Sequence, residues 1–216
     1  MIRSARVWSF CLLIVLALGL SAAPARFMSY PAIHQDTVVF TWEGDLWRVA
    51  RTGGTAVRLT SFPGNEYGAR ISPDGRWIAF TASYDGQEQV YRMPVGGGEP
   101  ERMTWEPWGA QSIGWSRDGQ KVIFRTFRRI TYQPVTRLFS VSPAGEYPQA
   151  LPPPAAVLGG YSPDGSQLVY VPSGREEYYW KRYKGGQQQK LWRLDVKTGK
   201  YEVLTPDYDG KSTYPM

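Results

Sequence analysis

An all-β fold of radially stacked, four-stranded blades, a β-propeller, is predicted by three features of the 216-residue chain. Aromatic residues make up 14% of it and stand among 23 Gly and 17 Pro. That composition favours strands punctuated by turns, because bulky rings suit a pleated surface while Gly and Pro interrupt helices. A Ser-x-Asp-Gly segment followed by an apolar run ending in an aromatic recurs along the chain, with closing aromatics at Phe40, Phe80, Phe124 and Tyr170. Their spacing falls in the range of about 40–50 residues that marks propeller blades. The run after each copy is apolar on both faces, which a sheet tolerates only when both faces are covered. A β-sandwich with one wet face fits this pattern less well.

The first 25 residues read as a secretory signal peptide. Arg3 and Arg6 form a positive region, Phe10 to Leu20 an uncharged apolar run, and Ala23-Pro24-Ala25 a small-residue cleavage site. The alternative is an uncleaved anchor, but the stretch from Val7 to Ala23 contains Ser9 and Ser21 and falls short of the roughly 20 apolar residues needed to span a bilayer. Cys11, the one cysteine, lies inside the apolar run and leaves with it, so no disulfide is expected in what remains. The expected location is therefore exported, periplasmic or secreted, with no membrane contact after cleavage. Removing Arg3 and Arg6 leaves 23 cationic residues against 19 acidic ones, a surplus too diffuse to argue for nucleic acid.

Residues 26–216 are read as a partial propeller of about four WD40-like (PD40) repeats, at roughly 30–65, 66–109, 110–155 and 156–211, with a fifth starting at 212. The first hairpin of three repeats is carried by ISPDGRWIAF (71–80), WSRDGQKVIF (115–124) and YSPDGSQLVY (161–170), and IHQDTVVF (33–40) is a shortened first copy. Asp74-Gly75, Asp118-Gly119 and Asp164-Gly165 supply residues that tolerate positive φ, as a tight hairpin requires. The third strands are DLWRV (45–49), QVYRM (89–93), RLFSV (137–141) and KLWRL (190–194). Trp47, Tyr91, Phe139 and Trp192 face one way and Leu46, Val90, Leu138 and Leu191 the other. Fourth strands follow at 56–60, 100–104, 148–152 and 201–205. STYPM (212–216) aligns with the first strand of a further blade, so the ring is read as incomplete, since a bare sheet edge needs closure or a cap.

Few side chains here suggest chemistry. One histidine, His34, and one cysteine exclude a zinc site built from Cys and His. No cofactor or metal is expected. Gly114-Trp115-Ser116-Arg117-Asp118 lacks the second glycine of a nucleophile elbow, and Ser116 repeats the turn serines Ser72 and Ser162, so it is read as a turn residue. His34 has no nucleophile to serve. Asp207-Tyr208-Asp209-Gly210 opens like a calcium loop, but Lys211 stands at a ligand position and no glutamate closes it. Arg48, Arg92 and Arg193 recur in the third strands and are read as structural, with stems on apolar surface. Arg128 and Arg129 have no counterparts in other repeats. Paired arginines bind carboxylates through bidentate hydrogen bonds, so they are the candidate substrate-binding residues, against the plain reading of a solvated pair. The irregular stretch 171–190 interleaves basic and aromatic residues, among them Trp180, Arg182 and Tyr183, and is read as a docking surface for neighbouring domains or subunits.

Two longer stretches carry a resemblance. YPAIHQDTVVFTWEGDLWRV (30–49) and YWKRYKGGQQQKLWRL (179–194) resemble, in the same order, the N-terminal six-bladed propeller of tricorn proteases and their bacterial homologues. The resemblance covers essentially all of residues 26–216. It implies a longer protein with a second propeller, a PDZ-like domain and a serine peptidase domain of the tail-specific kind. The family's catalytic serine, histidine and glutamate belong to those C-terminal domains, and no position here matches them, so this chain alone should not cleave peptides. What the resemblance implies is gating of oligopeptides or unfolded polypeptide toward a peptidase, in a homo-oligomer. A stand-alone TolB-like periplasmic binding module is the alternative, and a truncated reading frame a third possibility. A cytoplasmic setting is also known in the family.

Overall fold

A computed structural model describes residues 27–127, 136–172, 188–208, 210 and 212. The described residues form sixteen strands in four antiparallel sheets, and each sheet keeps its four strands in chain order. Blade 1 comprises β1 (Ser29–His34), β2 (Thr37–Trp42), β3 (Asp45–Ala50) and β4 (Val57–Arg58). Blade 2 comprises β5 (Glu66–Ile71), β6 (Trp77–Ala82), β7 (Gln89–Pro94) and β8 (Glu101–Arg102). Blade 3 has β9 (Gln111–Trp115), β10 (Val122–Thr126), β11 (Arg137–Val141) and β12 (Gln149–Ala150), and blade 4 has β13 (Leu158–Tyr161), β14 (Gln167–Val171), β15 (Trp192–Asp195) and β16 (Tyr201–Val203). The first strands β1, β5, β9 and β13 neighbour one another in that order and so line the axis. The expected all-β propeller of four-stranded blades is what the chain forms.

The two apolar faces of each blade account for the stacking. Val39 and Leu46 of blade 1 pack with Ile78, Phe80, Tyr91 and Met93 of blade 2. Ala79 and Val90, on the other face of blade 2, pack with Val122, Phe124, Phe139 and Val141 of blade 3. Ile123 and Leu138 then meet Leu168, Tyr170 and Leu194 of blade 4. Strand period two sends successive residues to opposite interfaces, so each interface draws its core from both of its blades. Burying one such Phe or Leu side chain contributes about 1.5–3 kcal/mol.

Backbone bonds repeat at each passage between blades. The amides of Glu66, Ala110, Ala156 and Ser212 donate to the carbonyls of Gly44, Glu88, Thr136 and Gln189, at 2.6, 2.8, 2.9 and 3.0 Å. The first three carbonyls belong to the residue just before a third strand, and Gln189 lies three residues before β15. A threonine closing the fourth strand braces the same corner: the hydroxyls of Thr60, Thr104 and Thr205 accept from the amides of Leu46, Val90 and Leu191. The third repeat has Pro152 at this place.

The hairpins differ in one respect from the tight Asp-Gly turn expected. In blade 2 the amide of Gly75 donates to the Ser72 carbonyl at 2.9 Å, making a Ser-Pro-Asp-Gly turn, and only the glycine has positive φ, at 73°. Asp74 keeps an ordinary backbone and acts through its carboxylate. It accepts from the Ser72 hydroxyl at 2.5 Å and the Arg76 amide at 3.0 Å, while the Ser72 oxygen accepts from the Trp77 amide at 3.0 Å. The arrangement returns at Ser116 and Asp118 and at Ser162 and Asp164. A two-residue turn with both central residues at positive φ occurs instead at Glu43-Gly44, with φ of 52° and 85°, which matches strand twist.

Candidate functional site

Strand direction gives the propeller two ends. The Ser-x-Asp-Gly hairpins gather at one, and the passages between blades lie at the other. At the hairpin end each turn glycine lies beneath the preceding blade's first hairpin: a Cβ on Gly75 would come 2.7 Å from His34, on Gly119 3.5 Å from Pro73, and on Gly165 3.0 Å from the Arg117 side chain. Ser116, with the same partners as Ser72 and Ser162, is part of this scaffold. The three carboxylates in these turns are held below the usual aspartate range, chiefly by the serine hydroxyl each accepts.

Between blades 3 and 4 this end opens into a cleft of about 610 Å³. Ile123 and Leu151 supply buried apolar wall and Tyr161 an aromatic one, while Arg117 and Lys121 contribute positive charge. Arg117 NH1 donates to the Asp164 carbonyl at 2.8 Å, and Lys121 Nζ to Gln149 Oε1 at 3.0 Å. Both cations are thereby positioned. Sequence reasoning passed over Lys121 and Tyr161. The available signal was the register of the repeats, which puts Gly114 where blade 2 has Arg70, and Tyr161 where blade 3 has Trp115.

The opposite end carries a polar network instead. Gln111 Nε2 donates to the Tyr67 hydroxyl and to a Glu88 carboxylate oxygen, both at 2.8 Å. Arg125 Nε donates to Gln111 Oε1 at 2.6 Å, and its NH1 to the Val157 carbonyl at 3.2 Å. Blades 2, 3 and 4 are joined by these bonds, and burial pushes the Tyr67 hydroxyl well above the usual tyrosine range. Glu66, at the passage into blade 2, is wholly buried. It accepts from the Thr60 hydroxyl at 3.0 Å, and desolvation lifts its carboxyl from 4.5 to about 7.

The recurring arginines have structural partners. Arg92 pairs with Glu101 at 2.6 Å and lies over the Trp77 ring, Arg193 pairs with Glu202, and Arg48 donates to the Val95 carbonyl. Arg128, Arg129, Trp180, Arg182 and Tyr183 lie outside the described residues, as does the predicted signal peptide. Among the described residues there is no group of three or more His, Cys, Asp or Glu side chains that could hold a metal ion, and no helix long and apolar enough to cross a membrane.

Residues 25–216 match the model of the tricorn protease N-terminal β-propeller domain. The chain belongs to the tricorn N-terminal propeller family. Tricorn protease homolog 1 of Streptomyces coelicolor is 34% identical over 208 residues, covering 90% of this chain and 18% of that protein. The crystal structure of the tricorn protease superposes with a TM-score of 0.71 at 24% identity, over 87% of this chain and 19% of that one. A TolB structure from Agrobacterium tumefaciens gives 0.65 at 22% identity, over 82% and 61%; both likenesses concern the fold. This chain thus spans about a fifth of the length of the Streptomyces tricorn relatives it matches.

Proposed function

We propose that this chain is the N-terminal propeller of a tricorn-type serine peptidase, gating oligopeptides to or from catalytic domains that lie outside it. The observation that carries the reading is the match to the tricorn propeller family over residues 25–216. The physical basis is the axis lined by β1, β5, β9 and β13. Strands braced on both sides by packed blades make a rigid passage, which admits extended chain and excludes folded domains by size. In this reading Arg128 and Arg129 hold a peptide carboxylate through paired guanidinium hydrogen bonds. Trp180, Arg182 and Tyr183 dock neighbouring domains or subunits of a homo-oligomer. In this reading residues 1–25 act as a signal peptide and the protein is exported.

The test is a chimera in which residues 26–216 replace the matching region of the Streptomyces tricorn homolog, assayed on fluorogenic peptides of graded length and on a folded protein. Hydrolysis of short peptides with the folded protein left intact is expected. Equal rates on both reject gating. Loss of turnover on free-carboxylate peptides, but not on their amides, in the Arg128→Ala/Arg129→Ala double variant checks the arginine role.

A second reading, a stand-alone TolB-like binding module, draws on the TolB superposition, which takes in 61% of that shorter structure. An antibody against residues 179–194 separates the two in host extracts. A product several times larger than 24.4 kDa supports the peptidase reading, and one slightly smaller than that supports the module.

A further inference from the structure

The interfaces between blades 2 and 3 and between blades 3 and 4 are built on one pattern with one difference. In the first, Arg70 reaches from β5 to the Ile113 carbonyl, and Trp115 reaches back to the Arg70 carbonyl. In the second, Gly114 replaces the arginine and has nothing within 4 Å of where its Cβ would be. Tyr161 replaces the tryptophan and lines the cleft. Gly114 pairs with Ile123, which lines the cleft, and the cleft volume lies within the roughly 300–1,000 Å³ typical of small-molecule sites.

Its chemistry is amphiphilic. Ile123 and Leu151 are 1% and 4% exposed and form apolar wall together with the Tyr161 ring. Arg117 and Lys121 bring two positive charges, each oriented by a hydrogen bond to a neutral oxygen rather than by an ion pair. The two acidic groups at hand are exposed and each is engaged within its own turn. Asp118 accepts from Ser116 and the Gln120 amide, and Asp164 from Ser162 and Ser166. Asp118, which lines the cleft, also interacts with the Lys121 charge, leaving one positive charge in surplus among the lining side chains. We infer that the cleft between blades 3 and 4 binds a small organic carboxylate with an apolar body, its charge held by Arg117 and Lys121 and its apolar part laid on Ile123, Leu151 and Tyr161. The inference does not depend on the chain serving a peptidase, since free acylated amino acids and other apolar carboxylates share the chemistry.

The full chain is titrated with N-acetyl-leucine, N-acetyl-leucinamide, benzoate and inorganic phosphate, followed by calorimetry and by NMR shifts of Lys121 and Tyr161. Saturable binding of a carboxylate, at least tenfold tighter than the amide and than phosphate, is expected. N-acetyl-leucine favoured over benzoate identifies an acylated amino acid as the source, and the reverse an aromatic acid. Lys121→Met, which keeps the aliphatic stem, should weaken binding at least tenfold. Lys200→Met, on an exposed turn, should leave it unchanged. No saturable binding, equal affinity for the amide, or phosphate alone binding as tightly overturns the proposal. The amide comparison uses the unsubstituted chain, so it decides the matter even if a variant fails to fold.

Discussion

Arg70 and Trp115 tie the axial strands of blades 2 and 3 together from both sides. The Trp115 indole N–H donates to the Arg70 carbonyl at 2.8 Å, while Arg70 Nε donates to the Ile113 carbonyl at 3.0 Å. Trp115→Phe keeps an aromatic ring but removes the donor, leaving a part-buried carbonyl without that partner. A loss of about 1 kcal/mol is expected. The check is the urea midpoint at constant slope; an unchanged midpoint would show that the clasp contributes nothing.

The stacked hairpin tips give the turn glycine a steric reason beside the conformational one. Gly75 has φ of 73°, and a Cβ there would stand 2.7 Å from His34 Cδ2. Gly75→Ala combines backbone strain of about 1–2 kcal/mol with a clash. Gly53→Ala, also at positive φ but with open space around it, carries the strain alone. Gly75→Ala should therefore lower the melting temperature more than Gly53→Ala. If His34→Ala in the Gly75→Ala background removes the difference, the contact is its cause.

Ser72 is 1% exposed and at once donates to Asp74 and accepts from the Trp77 amide. Ser72→Ala leaves that amide without the hydroxyl and should cost about 1–3 kcal/mol, the range for a buried group stripped of its partner. Ser116 has the same bonds in a more open turn. Ser116→Ala should cost less, and should change no peptidase activity in the chimera. Abolished turnover there would contradict the reading of Ser116 as a turn residue.

Much of this architecture was legible because each blade repeats its local rules. The aromatic closings at Phe80, Phe124 and Tyr170 and the Ser-x-Asp-Gly turns announced the hairpins, and the two apolar faces of RLFSV announced stacking. Composition and period are local properties and survive in a single sequence. The cleft was not legible in that way. Its walls come from two blades, Lys121 and Ile123 from one and Tyr161 and Gly165 from the next, and they meet only once the blades are stacked. The turn geometry was half legible: Asp-Gly signalled a reversal, but the serine hydroxyl capping both Asp74 and the Trp77 amide set its length. Arg128, Arg129 and Trp180 stood out through irregularity, the feature that repetition cannot interpret.

Glu66 offers a pH test of the interface between blades 1 and 2. The equivalent residues in later blades are Ala110, Ala156 and Ser212, so a carboxyl at this passage is peculiar to the first interface. Burial raises its pKa from 4.5 to about 7, against the opposing hydrogen bond of Thr60; Asp45 adds to the rise and Arg58 subtracts from it. The folded state thus binds the proton more tightly than the unfolded one. Stability from this group is fully present below pH 4.5, falls as pH rises from there toward 7, and levels off above, with a total loss of about 3 kcal/mol. The depressed carboxylates of Asp74, Asp118 and Asp164 act in the opposite sense, and their stability is lost only as pH falls below about 3.8. The two effects occupy separate windows. Glu66→Gln keeps an acceptor for the Thr60 hydroxyl and cannot ionise. Its unfolding free energy should stay flat between pH 5 and 8, where that of the unsubstituted chain declines, and a parallel decline in both would assign the pH dependence to other groups.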